Sequence, residues 1–62
     1  MTVATRILFV DDEPAYCRIF SKRISSDPRF VVETAGSGPE ALERLQQSPV
    51  DIVITDLSMP LM

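Results

Sequence analysis

Two short apolar runs, each closed by aspartate, constrain this chain more than anything else in it. Arg6 to Val10 reads R-I-L-F-V and is ended by Asp11 and Asp12, and Asp51 to Leu57 repeats the pattern as D-I-V-I-T-D-L. Runs of β-favouring residues of this length predict strands. A half-exposed antiparallel strand would alternate apolar with polar, so both runs are expected to lie in a parallel sheet, buried on two faces by helices. Phe30, Val31 and Val32 give a third, weaker strand.

Parallel neighbours need crossover connections, and the segments between the runs supply them. The first helix is predicted to open at Pro14, whose fixed φ and missing N–H suit a first turn, and to carry an apolar stripe of Tyr16, Ile19, Phe20 and Ile24. Asp27 and Pro28 end that stretch in a turn. The second helix has a local start signal: Ser37 with Glu40 three residues on forms a capping box, Pro39 sits in the first turn, and Ala41, Leu42 and Leu45 follow before Ser48 and Pro49 close it. The order is therefore β-α-β-α-β, with no internal linker or repeat. Right-handed crossovers with the second and third strands flanking the first give the sheet order 2-1-3, an α/β doubly wound (flavodoxin-like) layout with a helix on each face. That order sets the carboxyl ends of strands one and three side by side at a topological switch point, where ligands bind in open α/β sheets. The residues at those ends are Asp11, Asp12 and Asp56.

Size and charge narrow the function classes. A chain of 62 residues makes one domain at most and buries little core, and its one cysteine, Cys17, excludes an internal disulfide framework. With 45% hydrophobic and 24% charged residues the composition is that of an ordinary globular segment. Six scattered bases against nine acids, a net charge of −3, form no stripe for a phosphate backbone, so no nucleic acid is expected on this segment; a basic partner or a metal ion fits better. One Arg precedes only four consecutive apolar residues at the start, which is neither a signal peptide nor a membrane span. No membrane contact is expected, and a cytoplasmic location is, where Cys17 stays a reduced packing residue.

Three carboxylates converging on one crevice repel one another unless a cation neutralises them. A hard divalent ion does so: Mg²⁺ takes oxygen ligands, keeps several waters and suits a site of acids with no histidine. Such an ion also allows a carboxylate to approach phosphorus. The same residues have plainer uses, Asp12 as a helix cap, Asp11 as a strand terminator, Asp56 as a turn former, and spacing alone leaves both readings open. Glu13 reads as a first-turn acid favoured by the helix dipole, with metal contact through water as the alternative.

The segment I-L-F-V-D-D-E-P at 7 to 14, taken with D-I-V-I-T-D-L-S-M-P-L-M at 51 to 62 and T-A-G-S-G-P-E-A-L at 34 to 42, resembles the receiver domain of two-component response regulators. The acidic pair after the first strand and the D-x-x-M-P-x-M run after the third agree with that family in type, order and separation. The resemblance implies that Asp56 is the phosphoacceptor, taking a phosphoryl group from a sensor histidine kinase or phosphotransfer protein. It further implies that Asp12 ligates Mg²⁺ directly, that Asp11 holds a metal-bound water, and that Asp56 and the backbone carbonyl of Ser58 complete the protein ligands. The side chain at position 58 would also tune hydrolysis of the acyl phosphate, and Met59 and Pro60 would shape the following loop. The family is regulatory, so the chain is not expected to be an enzyme. A phosphatase using the same strand-end nucleophile would want a second Asp where Ser58 stands, and Gly36 and Gly38 are followed by no Gly-Lys pair that would make a phosphate loop.

Receivers of this family have five strands and five helices over about twice this length. The resemblance therefore implies that residues 1–62 are the amino-terminal half of a receiver, with an output domain downstream in the parent chain. The family's phosphoryl-binding Ser or Thr and its Lys would lie in the other half; Lys22, the one lysine, falls in the first helix, and Thr55 and Ser58 are on the third-strand segment. Two expectations follow. The half-receiver is incomplete for switching, and its third strand is a bare apolar edge at Ile52, Val53 and Ile54 that invites a dimer or an exchange of elements between copies.

Overall fold

The computed structural model describes residues 3–55. In chain order these form β1 (Thr5–Val10), α1 (Pro14–Ser25), β2 (Phe30–Ala35), α2 (Gly38–Gln47) and β3 (Ile52–Thr55). The three strands make one parallel sheet in the order β2-β1-β3, as the apolar runs and crossover rule predict.

Register fixes which side chains share a face. Arg6, Leu8 and Val10 pair with Val31, Glu33 and Ala35, while Ile7 and Phe9 pair with Val32 and Thr34. On the far side of β1, Ile7, Leu8, Phe9 and Val10 pair with Ile52, Val53, Ile54 and Thr55. Since side chains alternate along a strand, Leu8, Val10 and Ala35 face α2, where they form the main core with Ala41 and, partly buried, Val50. The opposite face meets α1: Phe9 stacks on Phe20 with ring centroids 4.2 Å apart and planes 10° from parallel. Leu8, fully buried at 0% exposure, is the centre of the sheet.

The structure corrects four sequence expectations. Strand β2 extends past Val32 to Ala35, because it pairs along its whole length with β1 and because Glu33 has cations within reach. Glu33 lies 3.4 Å from Arg6 Nη2 and 4.0 Å from Arg44 Nη1. In α1 the predicted stripe is narrower: Phe20 and Ile24 are half-buried together with Cys17, whereas Tyr16 and Ile19 are exposed, since among the described elements α1 rests on β2 and β1 only. Leu42 and Leu45 of α2 are likewise exposed, and Ala41 is the residue that enters the core. Finally, β3 is not buried on two faces: Ile52, Val53, Ile54 and Thr55 are all exposed, because among the described elements only β1 contacts this strand and neither helix does.

The loop entering β3 is held from the far end of β1 by Arg6. Its guanidinium donates from Nε to the Pro49 carbonyl at 3.1 Å and from Nη2 to Ser48 Oγ at 3.0 Å. Its backbone N–H donates to Asp51 Oδ2 at 2.8 Å, and Asp51 N–H donates back to the Arg6 carbonyl at 2.8 Å. One side chain and one backbone unit thus set where β3 begins, 45 residues along the chain from Arg6.

Candidate functional site

The carboxyl end of β1 delivers Asp11 and Asp12 to the top of the sheet, and the two acids differ in setting. Asp11 is buried, 6% exposed, and continues the sheet by one bond: its N–H donates to the Ala35 carbonyl at 3.1 Å. Its carboxylate Oδ1 accepts the Glu13 N–H at 2.9 Å. Asp12 is exposed, and among the described residues no hydrogen bond or ion pair engages its carboxylate. One acid is therefore anchored and the other is free to take a ligand.

Glu13 serves a different purpose from the first-turn acid that its position suggests. It is the N-cap of α1, with extended backbone (φ −98°, ψ 109°) and a carboxylate Oε1 that accepts the Ala15 N–H at 3.4 Å. Its carbonyl accepts from Tyr16 N at 3.1 Å and Cys17 N at 3.3 Å. Capping by Asp12, the plainer reading of that aspartate, is not what the structure has. At α2 the predicted cap is present, Ser37 Oγ accepting from Glu40 N at 3.2 Å, but the return bond is displaced by one residue: Glu40 Oε1 accepts the Gly36 N–H at 3.3 Å.

Beneath Asp11 lies the Cys17 thiol, which donates to the Asp11 carbonyl at an S···O distance of 3.4 Å. Burial, and then the negative charge of Asp11, push this thiol above its ordinary pKa. Both effects favour the protonated thiol, in keeping with a packing role. Between α1 and β2 a cleft of about 530 Å³ opens from the acid pair, with Arg18 and Lys22 on its α1 wall and Thr34 and Gly36 on its β2 wall.

Asp56 and Ser58, the two other predicted site residues, lie outside the described residues, as do Met59 and Pro60. Among the described residues no group of three or more His, Cys, Asp or Glu could hold a metal ion. The donor chemistry of the two described acids nevertheless fits Mg²⁺: all are hard oxygens, one carboxylate is exposed and unengaged, and the other keeps Oδ2 beside its bonded Oδ1. Sequence reasoning missed the Glu13 cap and the Arg6 clamp. The only local hint of the first is an acid directly before Pro14, and the second depends on partners far along the chain.

Comparison with known proteins accords with this geometry. A profile of the response regulator receiver domain matches residues 7–62, and the chain belongs to that family. It is 38% identical over 61 residues to a protein-glutamate methylesterase/protein-glutamine glutaminase of Aliivibrio fischeri, covering 97% of this chain and 16% of that protein. It is 44% identical over 55 residues to the probable transcriptional regulator ycf27 of Guillardia theta, covering 89% of this chain and 21% of the other. Among solved structures, the chemotaxis response regulator CheY4 of Vibrio cholerae superposes with a TM-score of 0.85 at 33% identity, covering 97% of this chain and 49% of that one. A chain from the complex of the CheA3 P1 domain with CheY6 from R. sphaeroides gives 0.80 at 36%, covering 94% and 46%. The chain thus spans about half the length of the solved receivers and a smaller share of the curated relatives. Among the described residues no helix is long and apolar enough to cross a membrane.

Proposed function

We propose that residues 1–62 are the phosphoacceptor-bearing, amino-terminal half of a receiver, in which Asp56 takes a phosphoryl group from the phosphohistidine of a sensor histidine kinase or phosphotransfer protein. The observation that carries this reading is the register of β3 on β1: Thr55 pairs with Val10, and in the sequence Asp56 follows the first of these residues while Asp11 and Asp12 follow the second. In the transfer, an Asp56 carboxylate oxygen attacks phosphorus and the P–N bond breaks; its electron pair returns to the imidazole nitrogen, which is protonated. Asp12, Asp56 and the Ser58 carbonyl would hold Mg²⁺, with Asp11 contributing through a bound water. When bound, that ion screens the repulsion between carboxylate and phosphoryl oxygens and stabilises charge on the phosphoryl group. The role is regulatory, with any catalytic or DNA-directed output belonging to other domains of a parent protein. The similarity to a chain from the CheA3 P1–CheY6 complex supports a protein partner.

The test is intact-mass measurement after incubation with a small phosphodonor and Mg²⁺. One added phosphoryl group on the unaltered chain, absent in Asp56→Asn and without metal, is expected. No mass gain would refute phosphotransfer by this chain.

A second reading rests on the exposure of all four β3 residues: the chain assembles through that strand, pairing with a second copy or exchanging elements with it, without phosphotransfer. Sedimentation of a strictly monomeric, folded chain would refute it.

A further inference from the structure

We propose that Glu13 is a positioning residue for the acid pair, acting through the start of α1 and not as a ligand; the inference rests on the reading of Asp11 and Asp12 as Mg²⁺-binding residues. The first turn of a helix leaves its N–H groups without partners in the helix, and here each is accounted for. Pro14 has none to offer. Ala15 N donates to Glu13 Oε1, and Tyr16 N and Cys17 N both donate to the Glu13 carbonyl. The Glu13 N–H in turn donates to Asp11 Oδ1. Asp11, Glu13 and the first turn therefore form one closed set of hydrogen bonds, and the free residue within it is Asp12.

This arrangement ties the direction of Asp12 to the cap. Asp11 is fixed below by its bond to Ala35 and by the Cys17 thiol against its carbonyl. Glu13 is fixed above by the helix it caps, and the Asp11–Glu13 bond spans Asp12. With no acid in the first turn of α1, the Glu13 carboxylate is committed to the positive end of that helix. Loss of the cap lets the first turn fray and the Asp12 backbone swing, which loosens a metal site whose geometry the surrounding hydrogen bonds had set.

Two replacements separate positioning from ligation. Glu13→Ala removes the cap. Glu13→Ser restores a favoured N-cap with a side chain too short and too neutral to serve as a metal carboxylate. Mg²⁺ affinity is measured by calorimetry on the unaltered chain, both variants and Asp12→Asn, and amide exchange is followed at Ala15, Tyr16 and Cys17 without metal. Positioning predicts that Glu13→Ala weakens Mg²⁺ binding on the order of 10-fold and speeds exchange in the first turn, and that Glu13→Ser returns both close to the unaltered values. Equal loss in the Ser and Ala variants would overturn the proposal in favour of direct ligation, and unchanged affinity in both would overturn it outright. If the unaltered chain binds no Mg²⁺, the acid-pair reading itself fails and the proposal with it. That outcome is distinct, because Asp12→Asn then matches the unaltered chain.

Discussion

Replacing each of the paired aspartates by alanine should separate folding from metal binding, because the two carboxylates are held so differently. Asp12 is exposed and its carboxylate bonds to nothing among the described residues, so Asp12→Ala should change the metal-free stability by no more than about 0.5 kcal/mol. Asp11 is 6% exposed and accepts the Glu13 N–H; Asp11→Ala strands that donor, which costs about 1–3 kcal/mol. At roughly 0.05–0.15 kcal/mol per residue, a chain of this length has about 3–9 kcal/mol in all, so the loss at Asp11 is a large fraction. Mg²⁺ at one hundred times its dissociation constant should add about 2.7 kcal/mol to the unaltered chain, and nothing to Asp12→Ala. Urea unfolding followed by far-ultraviolet circular dichroism, at one chain concentration with and without Mg²⁺, reads both quantities. The reasoning is refuted if Asp12→Ala keeps most of the Mg²⁺ increment, or if it lowers metal-free stability as much as Asp11→Ala does.

Other consequences can be checked with the same preparations. Leu8→Ala should cost about 2–5 kcal/mol and unfold much of the population, while the same change at exposed Leu42 stays within about 0.5 kcal/mol; similar urea midpoints for the two would contradict the core assignment. The raised Cys17 pKa means that the folded chain keeps a proton which the unfolded chain releases. Stability should therefore be full below the ordinary thiol pKa and decline as pH rises from there through the folded pKa, a fall that Cys17→Ser should remove from unfolding curves across that range. At the exposed turn, Arg29 hydrogen bonds hold Asp27 below the usual carboxylate range, and Arg29→Ala should return it upward in an NMR titration.

The parts of the fold legible in the sequence are those whose cause is local. The run from Ile7 to Val10 is apolar because it is the central strand, and Ser37 with Glu40 marks a helix start within four residues. The full length of β2 was not legible, because Glu33 and Thr34 break the apolar run and Glu33 is compensated by Arg6, 27 residues away. Nor was the inward face of α1: Ile19 is as apolar as Phe20, and what separates them is which strands the helix rests on. At the site, Asp11 and Asp12 were recognisable by type and place, but the difference between an anchored and a free carboxylate comes from the Glu13 backbone, which no spacing rule reveals. Roles for Asp56 and Ser58 rest on motif position, since both fall outside the described residues.

The one-sided support of β3 sets the order in which this molecule comes apart. Among the described residues β3 is bonded along one edge, exposed on both faces and clamped at its entrance by Arg6 and Asp51, so it should open from Thr55 toward Asp51. Its amides should exchange through local opening well before those of β1, which lies between two strands. Whatever packs against Ile52, Val53 and Ile54 shifts that opening equilibrium toward the paired state, and so links binding at this face to the order of β3 in a single free-energy term.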